Sequence, residues 1–187
     1  MELIGIGFWP RECDNESPFY LLNEQKDYNQ FQLASYLQSG FKLRGWLGHS
    51  FCRFSCGIPR SQMGSSDVTD GVWVWPEGFL HYVEFHNIDL PQEFVFHVQE
   101  NNYQVNIPPD LKEILKYDRD HFFDNPSDSI GYDTDFWNHW LEQKKAEYPN
   151  CNSESVVIPK FPEEKIKPIS FDIIPEDDSF LYVDDDD

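Results

Sequence analysis

A chain of 187 residues, 17% of them aromatic, is long enough to bury one sizeable core, and Phe, Trp and Tyr supply the area for it. The 34 acidic against 14 basic side chains give a formal charge of −20, which disfavours direct nucleic-acid binding: phosphate contacts need clustered cations, and only Lys42, Arg44, Arg53 and Arg60 come close to a basic patch. No run approaches a membrane span, and Met1 to Phe8 lacks the basic start and apolar stretch of a signal peptide, so a soluble cytoplasmic protein with reduced cysteines is expected.

In chain order, Leu3 to Trp9 reads as a first strand closed by Pro10. A polar loop follows to Lys26, and Asp27 can cap a helix over Tyr28–Gln38 in which Phe31, Ala34, Tyr36 and Leu37 recur at helical spacing before Gly40. Phe41–Leu47 and Ser50–Phe54 read as strands separated by Gly48-His49, and the Gly-, Ser- and Pro-rich stretch Gly57–Asp70 as a candidate binding loop. Val72–Trp75 is a strand punctuated by Asp70-Gly71 and Pro76; its valines face one way and its indoles the other, so both faces need cover. Pro76 suits a first helical position, Glu77 complements the positive helix end, and Phe79, Val83 and His86 give the helix through Asn87 its buried face.

Leu90-Pro91 opens a helix over Pro91–Asn101 with Phe94, Val95 and Val98 inward. Pro109 to Tyr117 and Asp135–Glu147 follow as amphipathic helices, the latter carrying Phe136, Trp137, Trp140 and Leu141. From Pro149 prolines at 159, 162, 168 and 175 break any helix and acids accumulate. The division is an α+β domain over 1–148 and an acidic extension over 149–187. Within the extension, Val156–Ile158, Ile169–Ile173 and Phe180–Val183 are apolar enough to dock, while Asp184–Asp187 are expected to be disordered. The fold expected is a single α+β domain, a small mostly antiparallel sheet covered by these helices.

The run Gly64 to Gly78, with its Asp-Gly-x-Trp-x-Trp-Pro-Glu-Gly core, then His81-Tyr82-Val83 and Leu90-Pro91-Glu93-Phe94, resembles a group of small uncharacterised, mainly bacterial proteins. The resemblance spans Phe41 to Val98 and implies a shared fold; no activity comes with it.

Two constellations can carry chemistry. Cys52 and Cys56 lie within zinc-ligand spacing, but no second Cys-x-x-Cys or His-x-x-x-His accompanies them; His81 and His86 complete a set of four only if folding gathers them. Structural thiols, with no metal and no cofactor, are the expectation. Asp67, Asp70, Glu77 and His81, beside Trp73 and Trp75, form the candidate binding set. As a cation site or a general acid–base group they would suit a small metal-dependent enzyme, and as turn formers, a helix-dipole partner and a core-edge histidine they need no function. Gly5-Ile6-Gly7 is too short for a phosphate loop, and no serine has a nucleophile-elbow setting. The reading is a non-enzymatic, immunity- or inhibitor-like domain whose acidic surface engages a basic protein, with a metal-dependent enzyme or metal-stabilised domain as the alternative.

Overall fold

The computed structural model describes residues 1–10, 17–23, 26, 28–148 and 157–167. Five strands, β1 (Glu2–Gly5), β2 (Phe41–Gly45), β3 (Ser66–Thr69), β4 (Trp73–Pro76) and β5 (Gly131–Asp133), form one open sheet in the order β2-β3-β4-β1-β5. Five helices surround it: α1 (Gln30–Ser39), α2 (Phe79–His81, continued as π-helix over Tyr82–His86), α3 (Gln92–Glu100), α4 (Pro109–His121) and α5 (Asp135–Glu147). The fold is α+β, as the sequence predicts. The β2-β3-β4 meander is antiparallel, and β1 inserts parallel to both β4 and β5.

The sheet centre is built around β4. Its two indoles enter the larger core, where Trp73 and Trp75 meet Tyr36 and Leu37 of α1, Phe79 and Val83 of α2, Phe94, Val95 and Val98 of α3, and Trp137 and Leu141 of α5. Val74, on the other side, joins Leu3, Leu43, Leu115 and Ile130 under α4. A strand covered on both faces tolerates no water-facing side chain in its middle, which is why Val and Trp alternate here without a polar residue.

The Asp70-Gly71 turn is held from inside. Asp70 Oδ1 accepts the N–H groups of Val72 and Trp73 at 2.8 and 2.7 Å, and Gly71 takes φ +96°, a conformation that L side chains rarely adopt.

Several sequence expectations change. Ser50–Phe54 is not a strand: the backbone turns at Ser55 (φ 51°), with Ser55 N–H donating to the Cys52 carbonyl at 3.1 Å. The pairing edge of β2 is taken instead by Ser66–Thr69, inside the stretch read as a loop, with Phe41 opposite Thr69. Pro76 closes β4 opposite Asp67 rather than opening a helix; as the last residue of the strand it costs the ladder little, and α2 begins only at Phe79. The cap of α1 is Asn29, whose side chain accepts from Gln32 N–H. α4 runs one turn beyond Tyr117, to His121. Ile158 and Phe161 pack against the larger core. The expectations for Asp27, residues 149–156 and residues 168–187 lie outside the described residues. Among the described residues no helix is long and apolar enough to cross a membrane.

Candidate metal centre

The segment from Trp46 to Pro59, which the sequence divides between the end of one strand, a second strand over Ser50–Phe54 and the start of a loop, is a knuckle that carries two buried thiols inward. Ser55 in the left-handed region and Gly57 at φ +94° reverse the chain around Cys56, so that Cys52 and Cys56 both face the larger core. Opposite them stands α2. In a regular α-helix, side chains five residues apart diverge by about 140° around the axis. Here the helix widens to π winding over Tyr82–His86, which turns His81 and His86 to one side, and Asn87 at φ 54° ends it.

The result is a set of four buried donors, Cys52, Cys56, His81 and His86, whose ligand atoms all lie within 4.8 Å of one another. Cys52 Sγ lies 3.1 Å from His86 Nε2, Cys56 Sγ lies 3.4 Å from His81 Nε2, and the two Nε2 atoms are 3.0 Å apart. A zinc tetrahedron, with Zn–N about 2.0–2.1 Å and Zn–S about 2.3 Å, has edges of about 3.3 Å between nitrogens and about 3.5 Å between nitrogen and sulfur. The observed edges need only a few tenths of an ångström of expansion to meet those values.

Burial keeps the donors in their uncharged forms. Burial, aided by the neighbouring Cys56, pushes the Cys52 thiol up to about 12, so it stays protonated unless a positive charge compensates it. Burial lowers His81 to about 4 and, with the charge of His81 beside it, His86 to about 3, so both imidazoles present lone pairs at neutral pH. Two soft sulfurs and two neutral nitrogens, all from protein, form the closed donor set of a structural zinc site and leave no position for a reacting water. His86 Nδ1 is buried without a hydrogen-bond partner among the described residues, so the outer support that usually orients a metal-bound imidazole is missing there for this side chain. Aromatic rings seal the rest: Phe54 lies against His86, Phe85 stacks on His81, and Phe161 covers His81 while its N–H donates to the Cys56 carbonyl at 2.7 Å.

The other candidate set does not converge. Asp67 is a buried residue of β3, and its Oδ2 accepts from Trp46 Nε1 at 2.9 Å and Tyr132 OH at 3.2 Å; burial raises its pKa against those hydrogen bonds and Arg44. Asp70 is buried in the turn already described, its Oδ2 accepting Tyr36 OH at 2.5 Å and facing His97 Nε2 at 2.9 Å. Glu77 does not serve a helix end: burial pulls its pKa up, but Lys42, 2.7 Å away, with the N–H groups of Ser65 and Ser66, outweighs that and lowers it. Trp73 and Trp75 are core, Trp75 Nε1 donating to the Leu37 carbonyl at 3.2 Å. Of the set only His81 reaches a cluster, and its companions are cysteines and a second histidine. Among the described residues the Cys52–Cys56–His81–His86 group is the one arrangement of three or more such donors close enough to hold a metal.

A sequence signal for it existed. His81 and His86 are separated by four residues, within the three-to-five range of paired histidine ligands, while the pattern sought in the sequence had three. The 24 residues between Cys56 and His81, a whole β-hairpin, hid the connection. No family model, curated protein or solved structure matches the chain.

Proposed function

We propose that the chain is a zinc-stabilised binding domain: Cys52, Cys56, His81 and His86 hold a structural Zn²⁺, and recognition is carried out by the acidic exterior rather than by the metal. The observation that carries this reading is the convergence of four buried donors within 4.8 Å of one another. A closed Cys₂His₂ set argues for scaffolding over hydrolysis, because a catalytic zinc keeps a ligand position for water. Bound there, the ion would fasten the 46–59 knuckle to α2 and, through Phe161, draw the 157–167 segment onto both.

Cobalt substitution tests the centre. With Co²⁺ in place of the native ion, the full chain is expected to show intense thiolate-to-metal charge-transfer and tetrahedral d–d absorption, both lost in Cys52→Ser. Weak octahedral absorption would overturn the assignment. The binding role rests on the −20 charge, which favours a basic protein partner through long-range attraction. A stoichiometric basic partner that dissociates as salt rises supports it; a partner insensitive to salt overturns it.

A further inference from the structure

Against the acid excess of the chain stands a pocket, among the described residues, whose charged lining is basic. A depression of about 490 Å³ lies between the α1–β2 junction, the 105–107 segment and α4. Its charged lining residues are Lys42, Lys112 and Arg119, with no carboxylate among them. In a chain with 34 acids and 14 bases, an all-cationic lining is not what composition alone produces. We propose that this pocket binds a small organic phosphate, with the phosphate on Lys112 and Arg119 and the apolar body of the ligand against Phe41 and Ile107.

The arrangement suits that chemistry. Arg119 is engaged by Asp120 through Nε at 2.8 Å, and its two terminal nitrogens make no hydrogen bond among the described residues. Its guanidinium lies over the Phe41 ring, 5.4 Å from the centroid, which orients the planar fork that pairs with phosphate oxygens in bidentate fashion. Lys112 Nζ makes no hydrogen bond or ion pair among the described residues. Lys42 is held at the rim by Glu77, which leaves it a second ammonium contact for a ligand oxygen. Phe41 and Ile107 give the pocket an apolar wall, and its volume falls in the small-molecule range. Glu77 and Asp120 each offset one of the three cations, which leaves Lys112 as the net local charge, and exposed acids more than about 8 Å away are screened at physiological ionic strength.

This inference does not depend on the zinc reading. It is tested by calorimetric titration of the full chain with phenyl phosphate, inorganic phosphate and phenol at constant ionic strength. Saturable one-to-one binding of phenyl phosphate is expected, tighter than inorganic phosphate, with phenol not binding. Lys112→Ala and Arg119→Gln, both at exposed positions, should each weaken phenyl phosphate about tenfold, the effect of losing one charge-assisted hydrogen bond, while Lys116→Ala on the same helix leaves it unchanged. Circular dichroism of each variant confirms its fold. Absence of saturable binding, equal binding of phenol, or Lys112 and Arg119 variants that bind phenyl phosphate as tightly as the unsubstituted chain would overturn the proposal. Equal affinity for both phosphates would overturn the role of the apolar wall.

Discussion

The two faces of the sheet solve the same problem in opposite ways. Under α4, on the face of Val74, the buried polar groups satisfy one another. Arg44 Nη2 donates to Asp118 Oδ2 at 3.0 Å and to the Ile130 carbonyl at 2.6 Å, Asp118 Oδ1 accepts Ile130 N–H at 2.6 Å, and the rings of Phe122 and Tyr132 lie 4.1 and 4.5 Å from the guanidinium carbon. On the face of Trp73 and Trp75, four buried sulfur and nitrogen donors have chiefly each other and an unpartnered His86 Nδ1. The first face pairs its charges within the protein. The second gathers donors of the kind that hold a cation, and that difference is what separates an internal ion pair from a candidate metal centre.

Breaking the second face should cost most. Chelation of the full chain is expected to cause extensive unfolding, since a structural zinc contributes about 10 kcal/mol or more of apparent binding free energy at neutral pH. Thermal denaturation with and without chelator checks this, and identical midpoints would count against a bound metal. Trp75→Ala, which opens a hole among Tyr36, Leu37 and Phe94, should cost about 3–5 kcal/mol by denaturant titration. On the first face, Arg44→Met leaves Asp118 buried and uncompensated and should also cost about 3–5 kcal/mol, whereas adding Asp118→Leu should recover much of the loss. A double variant as unstable as the single one would show that shape, not charge, holds α4 down.

The faces should also separate by pH. His81 and His86 are held near 4 and 3 when folded and would titrate near 6.5 in an unfolded chain. A depressed basic group favours the folded state above its unfolded pKa. Stability from this pair is therefore complete above about 6.5 and lost progressively as pH falls toward 4, with metal-bound imidazoles obeying the same sign. Denaturation midpoints followed from pH 8 to pH 4 test this, and a flat profile across that interval would contradict the burial of neutral imidazoles. The smallest effect belongs to the exposed rim: Glu77→Gln removes a partly solvated ion pair with Lys42 and should change stability by about 1 kcal/mol or less.

What the sequence disclosed follows from local physics. The alternation of Trp73–Trp75, the apolar stripe Phe94, Val95, Val98, and the Phe136–Leu141 spacing each encode their own burial, and the corresponding helices stand where they were read; the strand is shifted by one residue, to Trp73–Pro76, and leaves Val72 exposed. Elements defined by partners were less legible. Ser66–Thr69 carries polar and small residues and becomes a strand because β2 and β4 flank it; Gly131–Asp133 is three residues long and exists only beside β1. The metal-type cluster was legible in halves, as Cys52 with Cys56 and as His81 with His86. Joining them requires the π-widened turn of α2 and the reversal at Ser55, neither of which leaves a periodic mark. Asp67 and Asp70 show the converse: polar residues in an apparent loop read as turn formers or a binding set, yet each is buried because Trp46, Tyr36 and backbone N–H groups satisfy it.

The most direct test is elemental analysis of the full chain purified at neutral pH without chelator. One zinc ion per chain is expected, reduced to trace levels in a Cys52→Ser/Cys56→Ser double variant. A well-folded wild-type chain with no stoichiometric metal, and none taken up from a zinc-buffered solution, would contradict it.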